Sequence, residues 1–223
     1  MKLIKDLKNS KKGESIYILG NAPSIKKCDL SLLRYKNTIG LNGSPLMLDP
    51  LGFSSTYYLI TDRRFLQHEE KSKIAEAEFQ KDNIKIVSDV LSDEIEKFRE
   101  TQNIYFVKSL ARDGFSFDLN IGFYFGSTTV MLGIQLAYYL GCNNIYLLGV
   151  DFTYALLEEK GEQIRSYAES KAQEFDTLLS VQMKNIADSH LILKEHGVNL
   201  WLCSKESLLA PYIPYKSYEE SLK

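Results

Sequence analysis

The chain has 223 residues, 44% of them hydrophobic and 25% charged, with a net charge of −2. These values predict one globular domain spanning 1–223 with an ordinary core, and they exclude a disordered chain. The chain carries neither the basic surplus expected of a nucleic-acid binder nor a run of about 18 apolar residues that would cross a membrane.

The opening Met1-Lys2-Leu3-Ile4-Lys5-Asp6-Leu7-Lys8 lacks the long apolar core of a signal peptide, which predicts a cytoplasmic protein. Apolar, β-branched and aromatic runs then predict strands at 15–19, 38–42, 56–61, 84–88, 103–107, 144–149 and 198–203. Helical patterns lie between several of them. Residues 64–80 are charged, with an apolar stripe at Phe65, Ile74 and Phe79, and a shorter pattern covers 91–100. Residues 128–140 are apolar nearly all round, which predicts a buried helix. A long pattern over 168–196 places Phe175, Leu178, Leu179, Met183, Ile186, Leu191 and Leu193 near helical spacing, and Gly197 supplies its stop. Alternating strands and helices predict an α/β fold with a mostly parallel sheet and helices on both faces. Unbroken apolar strands such as Ile145-Tyr146-Leu147-Leu148 fit burial on both sides. Cys28, Cys142 and Cys203 are odd in number and widely spaced, which predicts free thiols rather than a disulfide framework or a zinc site.

Candidate chemistry gathers where strands end. After the first strand, Gly20-Asn21-Ala22-Pro23-Ser24 offers a glycine that accepts positive φ, side-chain donors on Asn21 and Ser24, and a proline that stiffens the turn. Ala22 stands where the second glycine of G-x-G-x-x-G belongs, and the loop is not G-x-x-x-x-G-K-[ST]. An ordinary strand-to-helix turn uses the same residue types. Three further strand ends have the same character: Asn42 and Gly43 follow the second, Asp62, Arg63 and Arg64 the third, and Gly149 and Asp151 the sixth. In a parallel sheet all four ends fall on one edge, which predicts a cleft lined by small polar groups and two carboxylates. Gly126-Ser127-Thr128-Thr129 heads the apolar helix, where the hydroxyls can cap the helix, hold a phosphate at its positive end, or both. No Asp-x-Asp occurs, so no metal site is predicted, although Asp62 and Asp151 could meet around a hard cation. His68, His190 and His196 each fall in charged helical patterns, and Arg112-Asp113-Gly114 lies in a loop over 108–120 long enough to be a lid or acceptor loop.

Taken together, these residues resemble a known pattern. Gly20-Asn21-Ala22-Pro23-Ser24-Ile25 is similar to the opening motif of bacterial CMP-sialic-acid sialyltransferases (glycosyltransferase family 42) and of the related family named after 6-hydroxymethylpterin diphosphokinase. Thr128-Thr129, Leu140-Gly141, Ile145-Tyr146-Leu147 and Gly149-Val150-Asp151-Phe152 resemble its second half, and Leu202-Cys203-Ser204 with Ser207-Leu208-Leu209 its C-terminal loop. The resemblance implies a Rossmann-like, GT-A-type domain that binds a nucleotide through Asn21, Asn42, Thr128 and Thr129 without a metal. Ala22 replaces a glycine of the pattern, and no histidine matches the sialyltransferase general base, whose stretch corresponds to the region near Ser180.

The implied activity is glycosyl transfer for a surface glycan from a nucleotide-activated sugar, CMP-linked and sialic-acid-like, to a glycan acceptor. Gly20–Ser24 and Gly126, Ser127, Thr128 and Thr129 then take the phosphates, Asn42 and Asp151 orient the base or ribose, and Gly43 belongs to the same nucleotide site. Asp62 is the candidate base, and Arg63 or Arg112 steadies the leaving phosphate. No cofactor is expected beyond the nucleotide sugar, and the pattern leaves room for a homo-oligomer. The alternatives are a diphosphotransferase with Mg²⁺ on Asp62 and Asp151, and a nucleotide-binding protein without catalysis.

Overall fold

Seven short apolar segments join into one parallel sheet in the computed structural model, which describes residues 3–96, 103–167 and 178–223. The strands are β1 (Ser15–Leu19), β2 (Asn37–Leu41), β3 (Tyr57–Ile60), β4 (Ile84–Ser88), β5 (Ile104–Val107), β6 (Asn144–Leu148) and β7 (Asn199–Leu202). Each lies within two residues of its expected position at either end. Their spatial order is β5-β4-β3-β2-β1-β6-β7. The chain therefore builds outward from β1 on one side, then returns to lay β6 and β7 on the other. That reversal opens a crevice between the carboxyl ends of β1 and β6, where open α/β sheets bind ligands. In register, Leu19 of β1 faces Gly40 of β2 and Leu148 of β6.

The strands lack alternation because both faces are covered. Ile16 and Ile18 of β1 point into a core shared with the helix α4 (Thr129–Tyr139), while Tyr17 and Leu19 point into another shared with Tyr218 of the terminal helix α7 (Tyr218–Ser221). The sheet face that carries Tyr58 and Ile60 packs on Ala75 and Phe79. The remaining helices are α1 (Pro45–Leu48), α2 (Arg63–Gln67), α3 (Glu69–Phe79), α5 (Tyr154–Glu159) and α6 (Leu179–Glu195).

The apolar helix expected at 128–140 is α4, with Met131, Leu132, Ile134, Leu136 and Ala137 all fully buried. Its Gly133 permits close approach to the sheet, because a Cβ there would sit 3.3 Å from Ile18 Cδ1. Two helical expectations are corrected. The pattern over 64–80 forms two helices, broken at His68, whose backbone is extended (φ −84°, ψ 121°). The break lets Phe65 and Phe79 reach the same core cluster, which one straight helix would separate. Of the helix expected at 91–100, Leu91 ends a 3-10 segment (Asp89–Leu91), residues 92–95 form turns, and residues 97–100 lie outside the described residues. The Asp89 carboxylate accepts from the Ser109 N–H (2.9 Å), which ties the start of this segment to the chain beyond β5. Within the pattern over 168–196, α6 covers Leu179–Glu195, and residues 168–177, Phe175 among them, lie outside the described residues. Cys28, Cys142 and Cys203 are free thiols. Among the described residues, no helix is long and apolar enough to cross a membrane.

Candidate functional site

A cavity of about 540 Å³ runs along the carboxyl edge of the sheet. The four strand ends expected to converge do so: Gly20, Asn21 and Ala22 after β1, Asn42 after β2, Asp62 to Arg64 after β3, and Gly149 to Phe152 after β6 all line it. The N-terminus of α4 opens into the same space through Ser127, Thr128, Thr129 and Val130. Thr128 Oγ1 accepts from the Val130 N–H at 3.4 Å, and the Thr129 and Thr61 hydroxyls meet at 2.7 Å, so the helix end is tied to β3. An eleven-residue helix aimed at a cavity presents partial positive charge there.

Four buried polar atoms on the cavity wall have no hydrogen-bond partner among the described residues: Asn21 Oδ1, Asn42 Oδ1 and Ser127 Oγ near the β1–β6 crevice and the α4 end, and Ser88 Oγ at the end of β4. Leaving such an atom unpaired costs about 1–3 kcal/mol. Backbone strain gathers at the same place. Asn42 (φ 48°), Ser127 (φ 57°) and Phe152 (φ 57°) all hold left-handed conformations and all line the cavity. Non-glycine residues keep such geometry where the surroundings impose it, and function is a common reason. Asn42 is fixed through its backbone, its N–H donating to Leu59 O (3.1 Å) and its carbonyl accepting from Tyr58 Oη (2.7 Å).

The structure gives several expected site residues other tasks. Gly20 lines the cavity, but its N–H donates to Leu148 O (2.8 Å), and a Cβ would lie 2.2 Å from Gly149 O. Its missing side chain lets β1 and β6 close together. The Ala22 N–H likewise donates to Gly149 O. Pro23 and Ser24 enter a 3-10 turn, Pro23–Lys27, away from the cavity wall. Ser24 donates to Asp151, which is 3% exposed and whose carboxyl burial pushes up, partly offset by those bonds. Gly43 packs under Tyr167, where a Cβ would come within 2.3 Å of the phenol oxygen. Gly126 fits over Met131, and its N–H donates to Arg112 O (2.8 Å). Neither glycine lines the cavity, nor does Arg112, which turns to Asp113 at 2.9 Å.

Asp62 caps α2, accepting from the Arg64 N–H at 2.9 Å, and pairs with the Arg64 guanidinium at 3.0 Å. Arg63 pairs with Glu94 at 2.5 Å and donates to Val90 O at 2.7 Å. Among the described residues, no cluster of three or more His, Cys, Asp or Glu side chains is arranged to hold a metal.

Sequence reasoning missed Lys71, Ser88, Arg165, Tyr167 and Gln182, all on the cavity wall. Arg165 and Tyr167 belong to a segment without periodicity, held across the first loop by the Ser166 N–H to Asn21 O (2.7 Å). Only Gly43 hinted at it, since a glycine beside a strand end signals close approach by something else.

The family model described as "6-hydroxymethylpterin diphosphokinase MptE-like" matches residues 1–156. Among solved structures, the chain is similar to the MAf glycosyltransferase from Magnetospirillum magneticum AMB-1, with 15% identity and a TM-score of 0.61. That match covers 95% of this chain and 37% of the other, so the chain spans little more than a third of that protein. It is also similar to the sialyltransferase CstII from Campylobacter jejuni, solved with the substrate analogue CMP-3FNeuAc, at 18% identity and a TM-score of 0.51, over 91% of this chain and 85% of that one. At these identities the likeness is one of fold. No curated protein matches the chain.

Proposed function

From the premise that the chain belongs to the 6-hydroxymethylpterin diphosphokinase MptE-like family, and shares a fold with two glycosyltransferases, we propose that it is a cytoplasmic glycosyltransferase. Its donor is a nucleotide-activated sugar, CMP-linked and sialic-acid-like, and its acceptor a surface glycan. The sheet serves as a Rossmann-like, GT-A-type platform with the nucleotide over the β1–β6 crevice.

One observation carries the reading: the unpaired Asn21 Oδ1, Asn42 Oδ1 and Ser127 Oγ share a cavity with the α4 N-terminus. Asparagine side chains suit the amino and hydroxyl groups of a nucleoside, and a helix N-terminus suits its phosphate. In the transfer, the acceptor oxygen bonds to the anomeric carbon while the bond from that carbon to the phosphate oxygen breaks. The electron pair leaves on the phosphate, where Thr128, Thr129 and the helix end stabilise it. Asp62 orients the acceptor hydroxyl and receives its proton.

The diphosphotransferase alternative needs Asp62 and Asp151 open to Mg²⁺. Asp151 is buried and held by Ser24, which makes this alternative the second reading. A thermal-shift series with CMP, UDP, GDP and ATP, each with and without Mg²⁺, decides between them. CMP at a hundred times its Kd adds about 2.7 kcal/mol of stability, and the proposal expects that gain without metal. Stabilisation by ATP alone, and only with Mg²⁺, favours the diphosphotransferase. Stabilisation by none of them removes the nucleotide from the reading.

A further inference from the structure

The cavity continues well past the β1–β6 crevice. It extends along the sheet edge to Ser88 at the end of β4 and Ser109 beyond β5. Ser88 lies three strand spacings, about 14 Å, from β1, so a phosphate held at the α4 end leaves this part of the cavity to another group.

That far end has its own chemistry. Among the described residues, its charged lining is Arg63, Arg64 and Lys71 against the carboxylate of Asp62, in a chain whose net charge is −2. The ion pairs Arg63–Glu94 and Arg64–Asp62 hold the two guanidinium groups in place. Glu94 pairs with Arg63 from outside the cavity wall. Lys71 is 8% exposed, so its ammonium group sits on the wall of the cavity rather than in bulk solvent. Ser88 is 1% exposed, and its Oγ has no hydrogen-bond partner among the described residues. A buried hydroxyl left unpaired on a wall that also carries cationic side chains is a donor available to an anion.

We propose that this end of the cavity seats an anionic group on the acceptor, a phosphate ester or a carboxylate carried by a sugar. Lys71 and Arg63 supply the charge, and the Ser88 hydroxyl donates. The proposal rests on the preceding reading, in which the nucleotide holds the other end. It narrows the acceptor from any glycan to an acidic one.

Calorimetry on the full chain tests it, with glucose 6-phosphate, glucuronate and glucose titrated with and without saturating CMP. The expected result is that at least one anion binds beside CMP, more weakly as salt rises, while glucose does not bind. Which anion binds tells phosphate from carboxylate. Lys71→Gln and Ser88→Ala should each weaken that anion by about tenfold or more and leave the Kd for CMP unchanged. Ser88→Ala removes one buried oxygen, so it gives the answer even if Lys71→Gln fails to fold. Equal binding of glucose and the anions overturns the proposal, as does anion affinity unchanged in Ser88→Ala. Displacement of the anion by CMP also overturns it, since the cations then serve the donor phosphate and the nucleotide reading alone stands. Anion binding lost in Ser88→Ala, in a protein that never binds CMP, keeps the anion site and removes the nucleotide.

Discussion

Ser24 grips Asp151 with two donors, its backbone N–H 3.2 Å from Oδ2 and its hydroxyl 2.6 Å from Oδ1. The residues stand 127 positions apart, and their contact joins the loop after β1 to the loop after β6. The crevice that defines the candidate site is closed from behind by this clasp. Burial pushes the Asp151 carboxyl above its ordinary value, and the Ser24 bonds oppose that shift by favouring the ionised form.

The pH dependence of the clasp follows from those signs. A carboxyl whose folded pKa is raised favours the folded state fully below its unfolded pKa of about 3.9, and that contribution is lost as pH rises through the folded value. Ser24→Ala removes a bond made to the charged form, so it should raise the pKa further. The variant should cost about 1–3 kcal/mol at pH 7 and less at pH 4, where the carboxyl gains its proton. Urea unfolding at both values checks this, and an equal cost at both would mean that the hydroxyl does not hold the ionised carboxylate.

Gly20 is a structural residue, which sets a second expectation. A Cβ there would overlap Gly149 O, at 2.2 Å, and Val150 Cγ2, at 2.9 Å. The carbonyl belongs to a neighbouring backbone and cannot swing aside. Gly20→Ala should therefore destabilise by about 1–3 kcal/mol or more, and Gly20→Val further still. Unfolding curves that superimpose on the parent's would show that the β1–β6 contact is looser than described.

The division between what the sequence revealed and what it concealed is physical. Strand positions were legible because the apolar signal is local, and β4 runs over Ile84–Ser88 as its pattern implies. The convergence of the Asn21, Asn42, Asp62 and Asp151 loops was legible because parallel strands send all their carboxyl ends to one edge. What each loop does there was not, because it depends on partners far away in sequence. Ser24 carries the right chemistry for a phosphate and spends it on Asp151; Arg112 spends its charge on its neighbour Asp113. Lys71 sits in a charged helix where solvent exposure is the natural reading, and only tertiary packing buries it.

Asp62 gives a third expectation. Its side chain is 31% exposed and caps α2 through the Arg64 N–H. Asn caps helices about as well as Asp, and an exposed ion pair contributes only about 0–1 kcal/mol. Asp62→Asn should therefore fold with stability within about 1 kcal/mol of the parent and bind CMP unchanged. Glycosyl transfer should fall by about 10²–10⁴-fold if Asp62 receives the acceptor proton. Turnover assays beside calorimetry separate the roles, and full activity in this variant removes Asp62 from the chemistry.

Asn42 provides a test in which stability and binding move apart. Its backbone sits at φ 48°, a region that glycine enters without steric cost. Its backbone bonds, to Leu59 O and from Tyr58 Oη, do not involve the side chain and survive its removal. The side-chain Oδ1 is buried and unpaired, so in the unliganded protein it costs stability. Asn42→Gly removes both the strain and the unpaired atom, at the expense of a more flexible unfolded chain. The melting temperature should hold or rise, while affinity for CMP falls by about tenfold, the usual scale for one hydrogen bond. A purely structural Asn42 predicts the reverse, lower stability with binding intact. Thermal melts and calorimetry on the same preparation distinguish the two, because only a residue kept for its ligand loses affinity without losing stability.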